Sequence, residues 1–188
     1  MVNKADVIVV GGGLIGLATA LKILNTRPNT RLILIEKELS IARHQSGNNS
    51  GVIHSGLYYR PGSLKAINCR RGYEQILDFC RQENISHEVC GKVVVATTES
   101  DVPMLKELHA RGIANGLSGL RYLQPKEINE IEPHCCGVKG LFVPQTGIVD
   151  YLDVAKAFET KLREMGAEII LGECILDIKQ HNNQVEVI

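Results

Sequence analysis

The chain has 188 residues, with 21 Lys and Arg against 21 Asp and Glu, so its formal net charge is zero. With 44 % hydrophobic and 22 % charged residues it can bury a core, which excludes collagenous, coiled-coil and wholly disordered chains; the length suits one domain or two small interleaved ones. The neutral balance, the absence of Trp and only 4 % aromatic residues argue against a surface built to hold nucleic acid.

Asp6-Val7-Ile8-Val9-Val10 is a short apolar, β-branched run, as expected of a strand covered on both faces. It leads into Gly11-Gly12-Gly13-Leu14-Ile15-Gly16, which fits G-x-G-x-x-G. Leu17 to Leu24 is apolar nearly all round and reads as a buried helix, ended by Arg27-Pro28-Asn29. Leu32-Ile33-Leu34-Ile35 is a second strand, closed by Glu36 20 residues after Gly16. The stretch Val7 to Leu21, with Lys4 before it and Ala18-Thr19-Ala20 inside it, imitates a signal peptide. It is too short for a membrane span, and the glycines have a better explanation.

In that explanation Gly11 permits a tight turn, Gly13 lets the backbone approach a pyrophosphate, and Gly16 lets helix and strand pack closely. The helix N-terminus offers unpaired N–H groups and a partial positive charge to the phosphates. Glu36 can accept hydrogen bonds from ribose hydroxyls and would repel a 2′-phosphate, which disfavours NADP. Strand, glycines, helix, strand and terminal Glu in this order point to a dinucleotide. FAD and NAD both satisfy the pattern. The small polar stretch His44-Gln45-Ser46-Gly47-Asn48-Asn49-Ser50-Gly51 suits either a second contact with a long cofactor or a flexible surface loop.

Further along, Ser63 caps a helix running to about Asn84, with Leu64, Ile67, Ile76, Leu77 and Cys80 on its buried side. Lys92 to Ala96 reads as a strand, helical segments follow near 100–114 and 125–131, and Leu141-Phe142-Val143 returns as a strand. Asp150 caps another helix, with Ala155, Phe158, Leu162 and Met165 inward and Gly166 stopping it. Glu168 to Leu171 and Ile175 to Ile178 are strands, and Asn182-Asn183 is a hairpin turn into Val185-Glu186-Val187. The cysteines Cys69, Cys80, Cys90, Cys135, Cys136 and Cys174 include no C-x-x-C pair. They read as free thiols in a reducing cytosol, with a metal or a vicinal disulfide at Cys135-Cys136 as the alternative. The expectation is a cytoplasmic protein without a metal.

The glycine run, Glu36-Lys37 and the segment His44 to Tyr59 closely resemble the L-2-hydroxyglutarate dehydrogenases and oxidases of the D-amino-acid-oxidase-like FAD superfamily. The resemblance continues through Pro61-Gly62-Ser63-Leu64-Lys65-Ala66, Cys90-Gly91-Lys92, Glu132-Pro133 and Thr146 to Tyr151. It implies an α/β fold in which a Rossmann-like FAD-binding domain is interleaved with part of a mixed-sheet substrate domain. Residues 1–85 and 147–188 would belong to the first, incomplete at its C-terminus, and 86–146 to the second. Relatives continue well beyond Ile188, so an amino-terminal fragment, half of a split protein or a disrupted reading frame is expected.

The implied reaction is FAD-dependent oxidation of L-2-hydroxyglutarate to 2-oxoglutarate. A quinone, another carrier or oxygen would accept the electrons, and a complementary C-terminal half and association at a membrane surface stay open. The implied cofactor residues are Gly11, Gly13, Ile15, Gly16, Glu36, Lys37, His44, Gln45, Ser46, Asn49, Ser50, Gly51 and Val52, with a backbone group at Ile175 near the adenine. His54 is the candidate base, since imidazole has a suitable pKa; a histidine that merely supports the loop is the alternative. Arg60 and Lys65 are candidate partners for the two substrate carboxylates, against a reading as solvated surface charges. Another 2-hydroxy-acid, glycerol-phosphate or amine oxidase, or a non-catalytic FAD-binding subunit, stands as the alternative function.

Overall fold

Parallel pairing of β1 (Val7–Val10) with β2 (Leu32–Glu36) is the first consequence of the two apolar runs, with Val7 opposite Leu32 and Val10 opposite Ile35. The computed structural model describes residues 4–188. In chain order the other strands are β3 (Val52–Ile53), β4 (His87–Glu88), β5 (Lys92–Ala96), β6 (Arg121–Leu123), β7 (Lys139–Val143), β8 (Gly147–Val149), β9 (Glu168–Leu171), β10 (Ile178–His181) and β11 (Gln184–Val187). The helices are α1 (Leu14–Thr26), α2 (Leu64–Gln82), α3 (Val102–Ala114), α4 (Pro125–Ile131) and α5 (Tyr151–Glu164). Helices and strands both build the fold, as the α/β expectation requires. The chain leaves one compact unit at Ser50 and returns to it at Asp150; Gly51–Val149 form a second.

In the first unit β9 adds to the free side of β2, giving a parallel sheet in the order β1-β2-β9. Helices α1 and α5 lie against one another, and their buried faces are Leu17, Ala20, Leu21 and Leu24 on α1 and Val154, Ala155 and Leu162 on α5. Leu17, Leu24 and Leu34 are almost wholly buried, each contributing about 1.5–3 kcal/mol by removal from water. Two local signals act as the residues dictate. Asp150 accepts from the amide of Leu152 at 2.8 Å and caps α5, and the hairpin β10–β11 turns at Asn182-Asn183.

The second unit holds two antiparallel sheets, β3-β8-β4 and β5-β7-β6. Its core is Leu57, Ala96, Leu105, Leu108, Leu117, Leu141 and Val143, with Val94, Val102, Leu120 and Val138 packed against it. Helix α2 groups with this unit, although the sequence places residues up to 85 with the cofactor domain. One reason is local: the Cys69 thiol of α2 donates to the carbonyl of His54 at 3.3 Å.

Several expectations need correcting. β1 is half-buried from Val7 to Val9 and Val10 is 58 % exposed, so the strand is not covered on both faces, and among the described residues it is also an edge strand. Helix α1 buries one stripe and leaves Ile15 82 % exposed. On α2, Ser63 caps the amide of Ala66 at 3.2 Å as expected, but Leu64 and Ile67 face solvent, and the buried positions are Ala66, Leu77 and Cys80. Met165, at the C-cap of α5, is also exposed. The last strand pair starts at Ile178 and not at Ile175: the amides of Leu176 and Asp177 converge on the single carbonyl of Ile188, which ends the ladder there.

Candidate active site

The turn between β1 and α1 is built on close approach. Gly11 takes φ +99° and donates its amide to the carbonyl of Ile35 at 2.8 Å, which ties the turn to the neighbouring strand. A Cβ on Gly16 would stand 2.0 Å from the Gly11 carbonyl oxygen, so no other residue fits there without moving the backbone. The amides in the first turn of α1 lie outside the helix's own hydrogen-bond ladder and carry its positive end. The amide of Leu14 donates to Ser46 Oγ at 3.0 Å, a contact across 32 residues of sequence.

Glu36 closes this cradle. Its Oε2 accepts from the amide of Gly12 at 2.6 Å and its Oε1 from the amide of Glu38 at 2.9 Å. The carboxylate is thereby held at the end of β2, beside the glycine turn. The stretch after β9 folds back to the same place: Gly172 and Glu173 donate their amides to the carbonyls of Glu38 and Glu36. Ile175, the expected adenine contact, follows two residues later and is half-buried.

The loop from His44 to Ser50 is internally bonded. Asn48 Nδ2 donates to the carbonyls of Arg43 and His44, and Asn49 Nδ2 to that of Ser46 at 2.7 Å. His44 Nε2 lies 3.0 Å from Glu38 Oε1, with Lys37 Nζ 3.9 Å from the same oxygen. The structure therefore joins Gly11 to Gly16, Glu36 and Ser46 around one helix end. Lys37 and His44 turn to Glu38, while Gln45, Asn49 and Ser50 are exposed. Gly51 and Val52 begin the second unit, where the amide of Val149 donates to the Gly51 carbonyl at 2.9 Å.

In the second unit, His54 begins a loop that α3 pins from its C-terminal end. Asn115 Nδ2 donates to the carbonyls of Gly56 and Tyr59 at 3.0 and 2.8 Å, and Arg111 Nη1 to that of Tyr58 at 2.9 Å. Burial lowers the His54 pKa below its ordinary 6.5, and the positive charge of Lys92 lowers it further. Burial raises the Cys69 thiol, opposed by Arg70 and Lys92. Lys92 Nζ sits 4.2 Å from the centre of the Tyr58 ring, a cation–π contact. Arg60 and Lys65 are both exposed and form no ion pair among the described residues. The charge acting on His54 is that of Lys92, for which strand alternation at 92, 94 and 96 was the available sequence signal.

Among the described residues no group of three or more His, Cys, Asp or Glu could hold a metal ion, and no helix is long and apolar enough to cross a membrane. All six cysteines are free thiols.

The family model for DAO, FAD dependent oxidoreductase, matches residues 6–188. The chain belongs to the FAD-dependent oxidoreductase family. This member is similar to an L-2-hydroxyglutarate dehydrogenase of Indibacter alkaliphilus, 51 % identical over 94 % of this chain and 44 % of that one. The mitochondrial L-2-hydroxyglutarate dehydrogenase of Homo sapiens is 42 % identical over 89 % of this chain and 36 % of its own length. The chain thus spans less than half the length of these curated relatives. Among solved structures, the FAD-bound L-alpha-glycerophosphate oxidase of Mycoplasma pneumoniae superposes with a TM-score of 0.91 at 27 % identity, over 99 % of this chain and 50 % of that one. Glycine oxidase of Geobacillus kaustophilus, at 20 % identity, shares the fold with a TM-score of 0.88 over 99 % of this chain and 51 % of its own.

Proposed function

We propose that this oxidoreductase chain binds FAD and contributes to the oxidation of L-2-hydroxyglutarate to 2-oxoglutarate. The observation that carries the FAD part is the cradle: Gly16, where a Cβ would stand 2.0 Å from the Gly11 carbonyl oxygen, the α1 N-terminus, and Glu36 fixed beside Gly12. A pyrophosphate would take the first-turn amides of α1, and Glu36 would accept from ribose hydroxyls. Ser46 would hold the helix end, and the segment at Ile175 would meet the adenine. The substrate part rests on the 51 % identity to the Indibacter relative.

When bound, FAD supplies the two-electron acceptor for the substrate C–H. The protein must supply a base for the hydroxyl proton, and His54 is suited to it because burial and the charge of Lys92 favour its neutral form. Arg60 and Lys65 would meet substrate carboxylates where the loop and the first turn of α2 present them. Residues 1–85 and 147–188 would serve the cofactor and 86–146 the substrate, with a complementary C-terminal polypeptide completing both. The electrons would pass to a quinone, another carrier or oxygen, in the cytoplasm or at a membrane surface. Oxidation of glycerol phosphate is the second reading, supported by the 27 % identity and 0.91 TM-score to the glycerophosphate oxidase.

The test is reconstitution of the chain, together with the C-terminal part of the Indibacter relative, with FAD, removal of free flavin, and anaerobic addition of L-2-hydroxyglutarate, D-2-hydroxyglutarate or glycerol 3-phosphate. Loss of the oxidised flavin spectrum with the L-enantiomer alone supports the proposal. Loss with glycerol 3-phosphate alone supports the second reading instead.

A further inference from the structure

Strand alternation on β5 sets Lys92, Val94 and Ala96 on one face, since side chains two apart point the same way. Ala96 belongs to the buried core with Leu57, and Val94 packs against that core. The register therefore turns an ammonium group toward the core side of the strand, at the end where the His54 loop passes. Placing a cation there is unfavourable unless something compensates it. No Asp or Glu of the described residues lies within ion-pair distance; the compensation is the Tyr58 ring, 4.2 Å from Nζ. Of the other half-buried cations, Arg70 is matched by Glu74 and Arg111 by Glu107, while Lys139 on β7, like Lys92, lies over a ring, that of Tyr122 at 5.3 Å; what distinguishes Lys92 is that its ring belongs to the His54 loop.

We infer that Lys92 binds a carboxylate of the substrate, a short aliphatic dicarboxylate, and fixes it beside His54. This rests on the functional reading above and adds to it a cation that Arg60 and Lys65 do not replace. The ring of Tyr58 faces the Lys92 ammonium on one side, and a carboxylate supplies the missing counter-charge. That its field reaches both His54 and Cys69 agrees with this placement. A carboxylate at Lys92 would bring the adjoining hydroxyl-bearing carbon toward the imidazole.

The test uses the chain co-expressed with the C-terminal part of the Indibacter relative, with FAD present, and two probes: glutarate, which cannot be oxidised at a hydroxyl, and its uncharged dimethyl ester. Binding is followed by the NMR shifts of the His54 ring and by titration calorimetry. Lys92→Gln and Lys92→Met, which keeps the stem length, should weaken glutarate at least tenfold while leaving the ester and the thermal midpoint nearly unchanged; Lys92→Arg should restore most of the affinity. Unchanged glutarate affinity in folded Lys92→Gln or Lys92→Met would overturn the inference, as would equal losses for glutarate and the ester. Glutarate binding that depends on Lys92, without flavin reduction by L-2-hydroxyglutarate, would uphold the site and sink the proposed oxidation. Failure of the wild-type chain to bind glutarate would overturn both.

Discussion

The Ser46 hydroxyl lies 3.0 Å from the amide of Leu14 and caps a helix whose own N-cap residue, Gly13, has no side chain. The glycine that opens the helix end to a ligand removes the usual local cap, and a residue from a distant loop supplies it. Ser46→Ala should lower stability by about 1 kcal/mol, the usual cost of a lost N-cap. It should also weaken FAD retention. Urea unfolding with and without FAD checks both; equal unfolding midpoints for variant and parent would contradict the capping role.

Gly16→Ala should be far more damaging than Gly12→Ala. Its Cβ would meet a backbone oxygen at 2.0 Å, whereas at Gly12 the nearest atom is the Glu36 Cβ at 3.1 Å, a side-chain atom with some freedom to shift. Overpacking of this kind costs roughly 1–3 kcal/mol or more where backbone must move. Thermal melts of the two variants, with the retained flavin measured on each, should rank them in that order.

Glu36→Gln should weaken FAD by about tenfold or more, since hydrogen bonds to a charged group contribute about 1.5–3 kcal/mol. The amides of Gly12 and Glu38 would keep one acceptor between them in place of two carboxylate oxygens. Equilibrium dialysis of FAD against both proteins measures the change.

For His54 the sign of the pH effect follows from a pKa lowered by burial and by Lys92. The folded protein binds this proton less readily than the unfolded chain, so stability from this site is intact above pH 6.5 and falls as the pH drops below it. In a competent complex the acid limb of kcat/KM should have its midpoint below 6.5, and Lys92→Met should move that midpoint upward. NMR titration of the His54 ring reads the same shift without turnover. An upward-shifted His54 in the parent protein would contradict the account.

The parts of the fold legible in the sequence are those whose signals are local. Gly11 to Gly16 and Glu36 declare a β-α-β turn because each residue's task is set by its immediate neighbours. Ser63 and Asp150 declare helix starts for the same reason. The Ser46–Leu14 contact joins residues 32 apart and has no pattern to betray it. Leu64 and Ile67 look like core residues by hydrophobicity alone, yet α2 buries the smaller Ala66 on that turn. At Ile175-Leu176 an apolar pair suggests a strand, but the pairing reaches back only to Asp177, which exchanges both backbone hydrogen bonds with Ile188 while the Leu176 amide shares the same carbonyl. Lys92 reads as an ordinary polar start to a strand until the packing of Val94 and Ala96 shows which face it shares.

The most direct measurement is the anaerobic flavin spectrum of this chain, co-expressed with the C-terminal part of the Indibacter relative and freed of unbound FAD. The account predicts retained flavin that is reduced by L-2-hydroxyglutarate and not by its D-enantiomer, with reduction abolished or strongly slowed in His54→Ala. Retained flavin that ignores L-2-hydroxyglutarate but is reduced by glycerol 3-phosphate would contradict the proposed substrate. No flavin retained by the complex would contradict the cofactor cradle itself.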